Sequence, residues 1–91
     1  MSRREHPAGK SLTWASVTWV GSTALIELVN RHGRVVDFLI DGPEIGRRRA
    51  RIRGNDKLAL VYDVAPGRNL TILVNDDAQR ILYDGTAPNE D

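Results

Sequence analysis

The densest group of side chains able to do chemistry in this sequence is Arg47-Arg48-Arg49-Ala50-Arg51-Ile52-Arg53. Read as a strand, it sends Arg47, Arg49, Arg51 and Arg53 to one side and Arg48, Ala50 and Ile52 to the other. Alternate strand residues stand ~6–7 Å apart, so the four guanidiniums form a basic stripe able to follow a phosphate backbone. Arg3, Arg4 and Lys10 are candidates to extend it. Two other roles fit the same residues. The stripe can dock on an acidic surface of a neighbouring protein, including the acidic half of another copy. It can also be a solvated edge strand whose like charges discourage edge-to-edge aggregation. Protein therefore ranks ahead of nucleic acid as the expected partner.

The remaining reactive types do not assemble into a site. His6 and His32 are the only imidazoles, and neither has a second imidazole or a carboxylate at ligand spacing. Ser11, Ser16 and Ser22 lack a glycine elbow and a His-Asp partner at an arguable spacing. Asn75-Asp76-Asp77 lacks the spaced oxygens of a calcium loop and reads as a turn. The glycines are scattered singly, with no phosphate-cradling run. Catalytic, cofactor and metal assignments are therefore all none, and the chain is expected not to be an enzyme. No small-molecule substrate is inferred.

The elements that must position these groups are constrained by size. Ninety-one residues suit one domain, and a chain this short buries only ~60–65% of its unfolded surface. There is no cysteine, so neither disulfides nor thiolate zinc sites can staple it. A core, or a partner, must hold it together. The apolar share of 41% beside 27% charge is ordinary for a globular protein. The net charge of +1 hides a polarity. Residues 1–53 carry ten basic and five acidic side chains, and residues 54–91 carry three basic and seven acidic ones. Arginine outnumbers lysine eleven to two, which suits bidentate carboxylate or phosphate contacts but also follows from a GC-rich genome.

No apolar run follows Arg3 and Arg4 as a secretion signal requires, and no stretch approaches the ~20 apolar residues of a membrane helix. The expected location is cytoplasmic or within an assembly built there, without membrane contact. On that reading the glycosylation sequon Asn69-Leu70-Thr71 is a chance match.

Apolar alternation broken by turn residues recurs along the chain, the pattern of strands. The segments are Lys10–Val20, Thr23–Val29, Arg34–Ile40, Arg47–Arg53, Lys57–Val64, Leu70–Val74 and Gln79–Tyr83. Asn30-Arg31-His32-Gly33 reads as a tight turn, making Thr23–Ile40 a hairpin. Pro66-Gly67 fits a type II turn. About seven short strands predict an all-β fold: a small antiparallel β-sandwich, Ig-like or jelly-roll-like, or a partly open barrel. The expected layout is a polar arm over 1–9, one β domain over 10–84 and a polar tail over 85–91.

The predicted core comprises Val17, Trp19, Ile26, Leu28, Val36, Phe38, Ile40, Ile52, Leu58, Leu60, Tyr62, Leu70, Ile72, Val74 and Leu82. The opposite faces are less polar than a solvated sheet requires, with Leu25, Val29, Val35, Leu39, Val61, Leu73 and Ile81 falling there. Either loops and tails cover these residues, or they form an exposed patch for a partner or a second copy. Trp14, opposite Trp19 by parity, is the candidate interface anchor, together with Leu25, Val29, Val35, Leu39 and Val61. These features predict a non-enzymatic structural or interaction subunit packed onto other chains in a larger assembly, a phage or virus particle being one setting. A nucleic-acid-binding β-barrel using Arg47, Arg49, Arg51 and Arg53 is the alternative.

Overall fold

Alternating β-branched and aliphatic side chains fold as strands throughout: β1 (Thr13–Val20), β2 (Thr23–Asn30), β3 (Val36–Gly42), β4 (Gly46–Ile52), β5 (Asp56–Asp63), β6 (Asn69–Asn75) and β7 (Gln79–Thr86). This computed structural model describes residues 12–76 and 78–89. The N-terminal arm expected over 1–9, with His6, and the candidate stripe extensions Arg3, Arg4 and Lys10 lie outside the described residues. Two antiparallel sheets result, a three-stranded one ordered β1-β2-β5 and a four-stranded one ordered β4-β3-β6-β7. No helix occurs among the described residues, so none is long and apolar enough to cross a membrane.

The inner faces meet in one core. Ala24, Ile26, Leu28, Val36, Phe38, Ile40, Ile52, Val64, Leu70, Ile72, Val74 and Ala87 are buried there, with Val17, Trp19, Leu60, Tyr62, Leu82 and Tyr83 packed against them. Each large aliphatic so buried contributes ~1.5–3 kcal/mol, and no disulfide supplements them. A bulge in β7 brings two successive residues to the core. Ile72 pairs with Tyr83 and Leu73 with Ile81, so Leu82 is the extra residue and both Leu82 and Tyr83 pack inward. At the margins β1 approaches β7 and β4 approaches β5, but no ladder among the described residues joins the two sheets. The result is a sandwich with open corners.

Three expectations are corrected. First, Thr23–Ile40 is not a hairpin: β2 pairs with β1 and β5, whereas β3 pairs with β4 and β6. The intervening segment crosses from one sheet to the other, and Asn30 is why. Its side chain is fully buried, and its amide nitrogen lies 2.9 Å from the Arg34 and Ile52 carbonyl oxygens and 3.0 Å from that of Arg53. Its amide oxygen accepts from the His32 backbone N–H at 2.9 Å. Asn30 therefore caps a corner instead of turning a ribbon. The β4–β5 turn closes against the same corner, where a Cβ on Gly54 would meet the His32, Gly33 and Arg34 backbone at 2.7–2.8 Å.

Second, the β structure extends past Asp84. β7 continues through Thr86, and Ala87 is buried and exchanges backbone bonds with the Pro66-Gly67 turn, donating to Arg68 O at 2.8 Å and accepting from Gly67 N at 2.9 Å. That turn has the expected form, with Arg68 N bonded to Ala65 O and φ of +81° at Gly67. Third, Leu58 is not sealed in the core. It is 38% exposed near the start of edge strand β5, where Leu28 is its single ladder neighbour.

Candidate functional site

The arginine stripe takes its geometry from the β3–β4 ladder. Arg47 stands opposite Asp41, Arg49 opposite Leu39 and Arg51 opposite Asp37, all on the outer side of the four-stranded sheet. Arg51 Nε donates to Asp37 Oδ1 at 3.0 Å and Arg47 Nη2 to Asp41 Oδ2 at 3.3 Å. Both pairs are largely solvated, so each contributes at most ~1 kcal/mol. Their stronger consequence is local neutralisation. Arg53 lies just past the end of β4. Arg48, Arg49 and Arg53 make no ion pair among the described residues.

The rest of that outer face follows from register. Arg49, Leu39, Leu73 and Ile81 form one row across all four strands. Polar rows flank it: Arg51-Asp37-Asn75-Gln79 on one side and Arg47-Asp41-Thr71-Asp84 on the other. Leu39 and Leu73, on central strands, are half-buried, while Ile81 on edge strand β7 is 62% exposed.

The outer face of the three-stranded sheet carries the rows Trp14-Val29-Lys57, Ser16-Glu27-Ala59, Thr18-Leu25-Val61 and Val20-Thr23-Asp63. The lengths of the neighbouring side chains decide which aliphatics reach solvent. Val29, a candidate anchor, lies between Trp14 and Lys57 and is only 7% exposed, because a ring and a long methylene stem flank it. That removes it from the contact set. Leu25 lies between the short Thr18 and Val61 and stays exposed, as does Val61 at 65%. Val20, which parity alone places on this face, stands diagonal to Leu25 and is also exposed. Val35 is exposed in the crossover segment between β2 and β3.

Trp14 does point away from the core that holds Trp19, and it is half-buried. The Arg31 guanidinium carbon lies 5.5 Å from its ring centroid, within cation–π range. Together with Glu27, Asn55, Asp56 and Lys57 these residues line an open groove of about 520 Å³. Lys57 Nζ is 3.8 Å from Glu27 Oε2, so its charges are mixed.

A part-buried polar cluster closes one end of the sandwich, and sequence spacing gives no hint of it. Asp76, its side chain 5% exposed, accepts from Thr13 Oγ1 at 2.9 Å and from Arg80 Nη2 at 2.7 Å. His32 Nε2 lies 3.4 Å from the same carboxylate oxygen, and Arg80 also donates to the Thr13 hydroxyl at 2.7 Å. These groups satisfy one another and join β1, the crossover, the β6–β7 turn and β7. No group of three or more His, Asp or Glu able to hold a metal ion occurs among the described residues. Comparison with protein-family models, with curated proteins and with solved structures finds no match to this chain.

Proposed function

We propose that this chain is a non-enzymatic structural subunit that packs its outer sheet faces against other protein chains in a larger assembly. One observation carries the reading: both sheets present aliphatics outward, Val20, Leu25 and Val61 on one and Ile81 on the other. Exposed aliphatics clustered on a sheet face favour burial against a second protein surface. Particle-like assemblies of phage or virus type are the proposed setting, by analogy with small β-modules only. The nucleic-acid alternative draws on the stripe Arg47, Arg49, Arg51 and Arg53, of which Arg49 and Arg53 pair with no described carboxylate. Against it, Asp37, Asp41 and Asp84 share the face of the stripe and oppose an approaching phosphate backbone.

Size-exclusion chromatography with light scattering, run at low and high salt with the 260/280 nm absorbance ratio recorded, tests both. The proposal expects a mass above one chain, free of nucleic acid and retained at high salt. A monomer carrying nucleic acid that salt strips away would transfer the assignment to the arginine stripe.

A further inference from the structure

The free edge of β4 is unbroken and, unlike the equally regular edges of β1 and β5, is lined by arginines. Its ladder with β3 runs without interruption from Gly42–Gly46 to Val36–Ile52, with no bulge and no proline. Among the described residues nothing pairs with its other side along Gly46–Arg51, and β5 only approaches it. Outward-facing backbone N–H and C=O groups on such an edge are a template for another strand.

Charge decides which strand. A second copy pairing antiparallel about Arg49 would set Arg49 against Arg49 and Arg47 against Arg51, like charges directly opposed. The edge is thus guarded against itself. The β3 side shows the reverse case, where Asp37 and Asp41, four residues apart on one face, meet Arg51 and Arg47. Arg49, opposite Leu39, has no such carboxylate. On the core-facing side, Leu58 of the adjoining β5 is left 38% exposed and Ala50 is half-buried. An incoming strand would therefore meet Arg47, Arg49 and Arg51 on one face, and on the other Ala50 and Leu58 with the exposed Arg48 beside them.

We propose that β4 takes an extended partner segment of alternating acidic and aliphatic residues as a fifth strand of the β4-β3-β6-β7 sheet. Its central carboxylate faces Arg49, which has no carboxylate opposite it on β3, those on either side add to the Asp-paired Arg47 and Arg51, and its aliphatics face Ala50 and Leu58. This rests on the reading of the chain as a protein-binding subunit, but it uses an edge and not an outer face.

The test is titration of the full chain, followed by amide NMR, with a synthetic peptide of about eight residues alternating Glu and Val. Controls are the same peptide with every backbone amide N-methylated, a scrambled peptide of equal composition, and a single-stranded oligonucleotide. The alternating peptide is expected to bind and to protect β4 amides from exchange. Binding should weaken about five-fold in Arg49→Glu and fall from about 0.1 M to about 1 M salt, where the screening length drops from about 10 to about 3 Å. The N-methylated peptide, which keeps the charges but cannot complete a ladder, should not bind. Equal binding of the N-methylated or scrambled peptide, no binding of the alternating one, or binding of the oligonucleotide alone would each overturn the proposal. Light scattering on the same sample keeps the readings apart: self-association retained while the peptide fails rejects the edge and leaves the outer-face reading standing.

Discussion

The indole N–H of Trp19 donates to the phenol oxygen of Tyr83 at 2.8 Å, tying the first strand to the last across the sandwich. The same phenol covers Gly85, where any Cβ would collide with the Tyr83 ring and hydroxyl. Tyr83→Phe should leave the ring in place and strand the indole donor, costing about 1 kcal/mol. Tyr83→Ala should cost about 3 kcal/mol or more, since a ring packed on the core is lost as well. Urea midpoints for the two variants, at unchanged m-value, check the difference. Equal midpoints would mean that the hydroxyl carries the whole effect.

Asn30 is the corner on which the β2–β3 crossover depends. Asn30→Ala removes the partner of the His32 N–H and the donor shared among the Arg34, Ile52 and Arg53 carbonyls. Buried polar groups left without partners cost ~1–3 kcal/mol each, so a loss of about 3–4 kcal/mol is expected, a large share of a small domain's stability. Asn30→Asp should be no better, because it keeps the acceptor for His32 but offers no donor to the carbonyls. Thermal unfolding followed by circular dichroism checks both variants. A shift of only a degree or two would show that water replaces the side chain.

That residue also marks where the sequence stops being legible. Strand positions and core membership follow from parity, because a two-residue period read off side chains is the same period that packs them; Phe38, Ile40, Ile72 and Val74 are buried as the pattern requires. Which strands pair is a different matter. An Asn-Arg-His-Gly segment suits a hairpin and a corner equally, and the choice rests on carbonyls of Ile52 and Arg53 that arrive from far along the chain. The candidate surface divides the same way. Outward aliphatics are visible as a class, but Val29 and Leu25 part company only through their cross-strand neighbours. The Asp76–Arg80–Thr13 cluster joins residues whose spacing carries no periodic signal.

Two glycines near one another should respond oppositely to alanine. At Gly54 the added methyl would press on rigid backbone of the crossover, whereas at Gly33 it meets nothing within 4 Å. Gly54→Ala should therefore force the β4–β5 turn away from the corner and cost several kcal/mol, about 3 on the scale of overpacked sites. Gly33→Ala should lie within about 1 kcal/mol of the parent and can stabilise it by restricting the unfolded chain. Chemical denaturation of the pair separates steric contact from loss of glycine flexibility, since the latter would affect both alike.

The outer faces make a prediction that tells them apart. Val61 and Ile81 are exposed on opposite sheets, so replacing either by aspartate removes no core contact and should change monomer stability by about 0.5 kcal/mol or less. Val61→Asp places its carboxylate beside Leu25 and two residues from Asp63, in the widest apolar stretch of the three-stranded sheet. Ile81→Asp places it at the end of a row already flanked by Asp37 and Asp84 rows, where the apolar strip is narrow. Val61→Asp is therefore expected to reduce association at least ten-fold, and Ile81→Asp to have the smaller effect. Sedimentation equilibrium of both variants beside the parent reads this directly. The reverse order would move the principal contact to the four-stranded sheet, and unchanged association in both would remove the outer faces from the interface altogether.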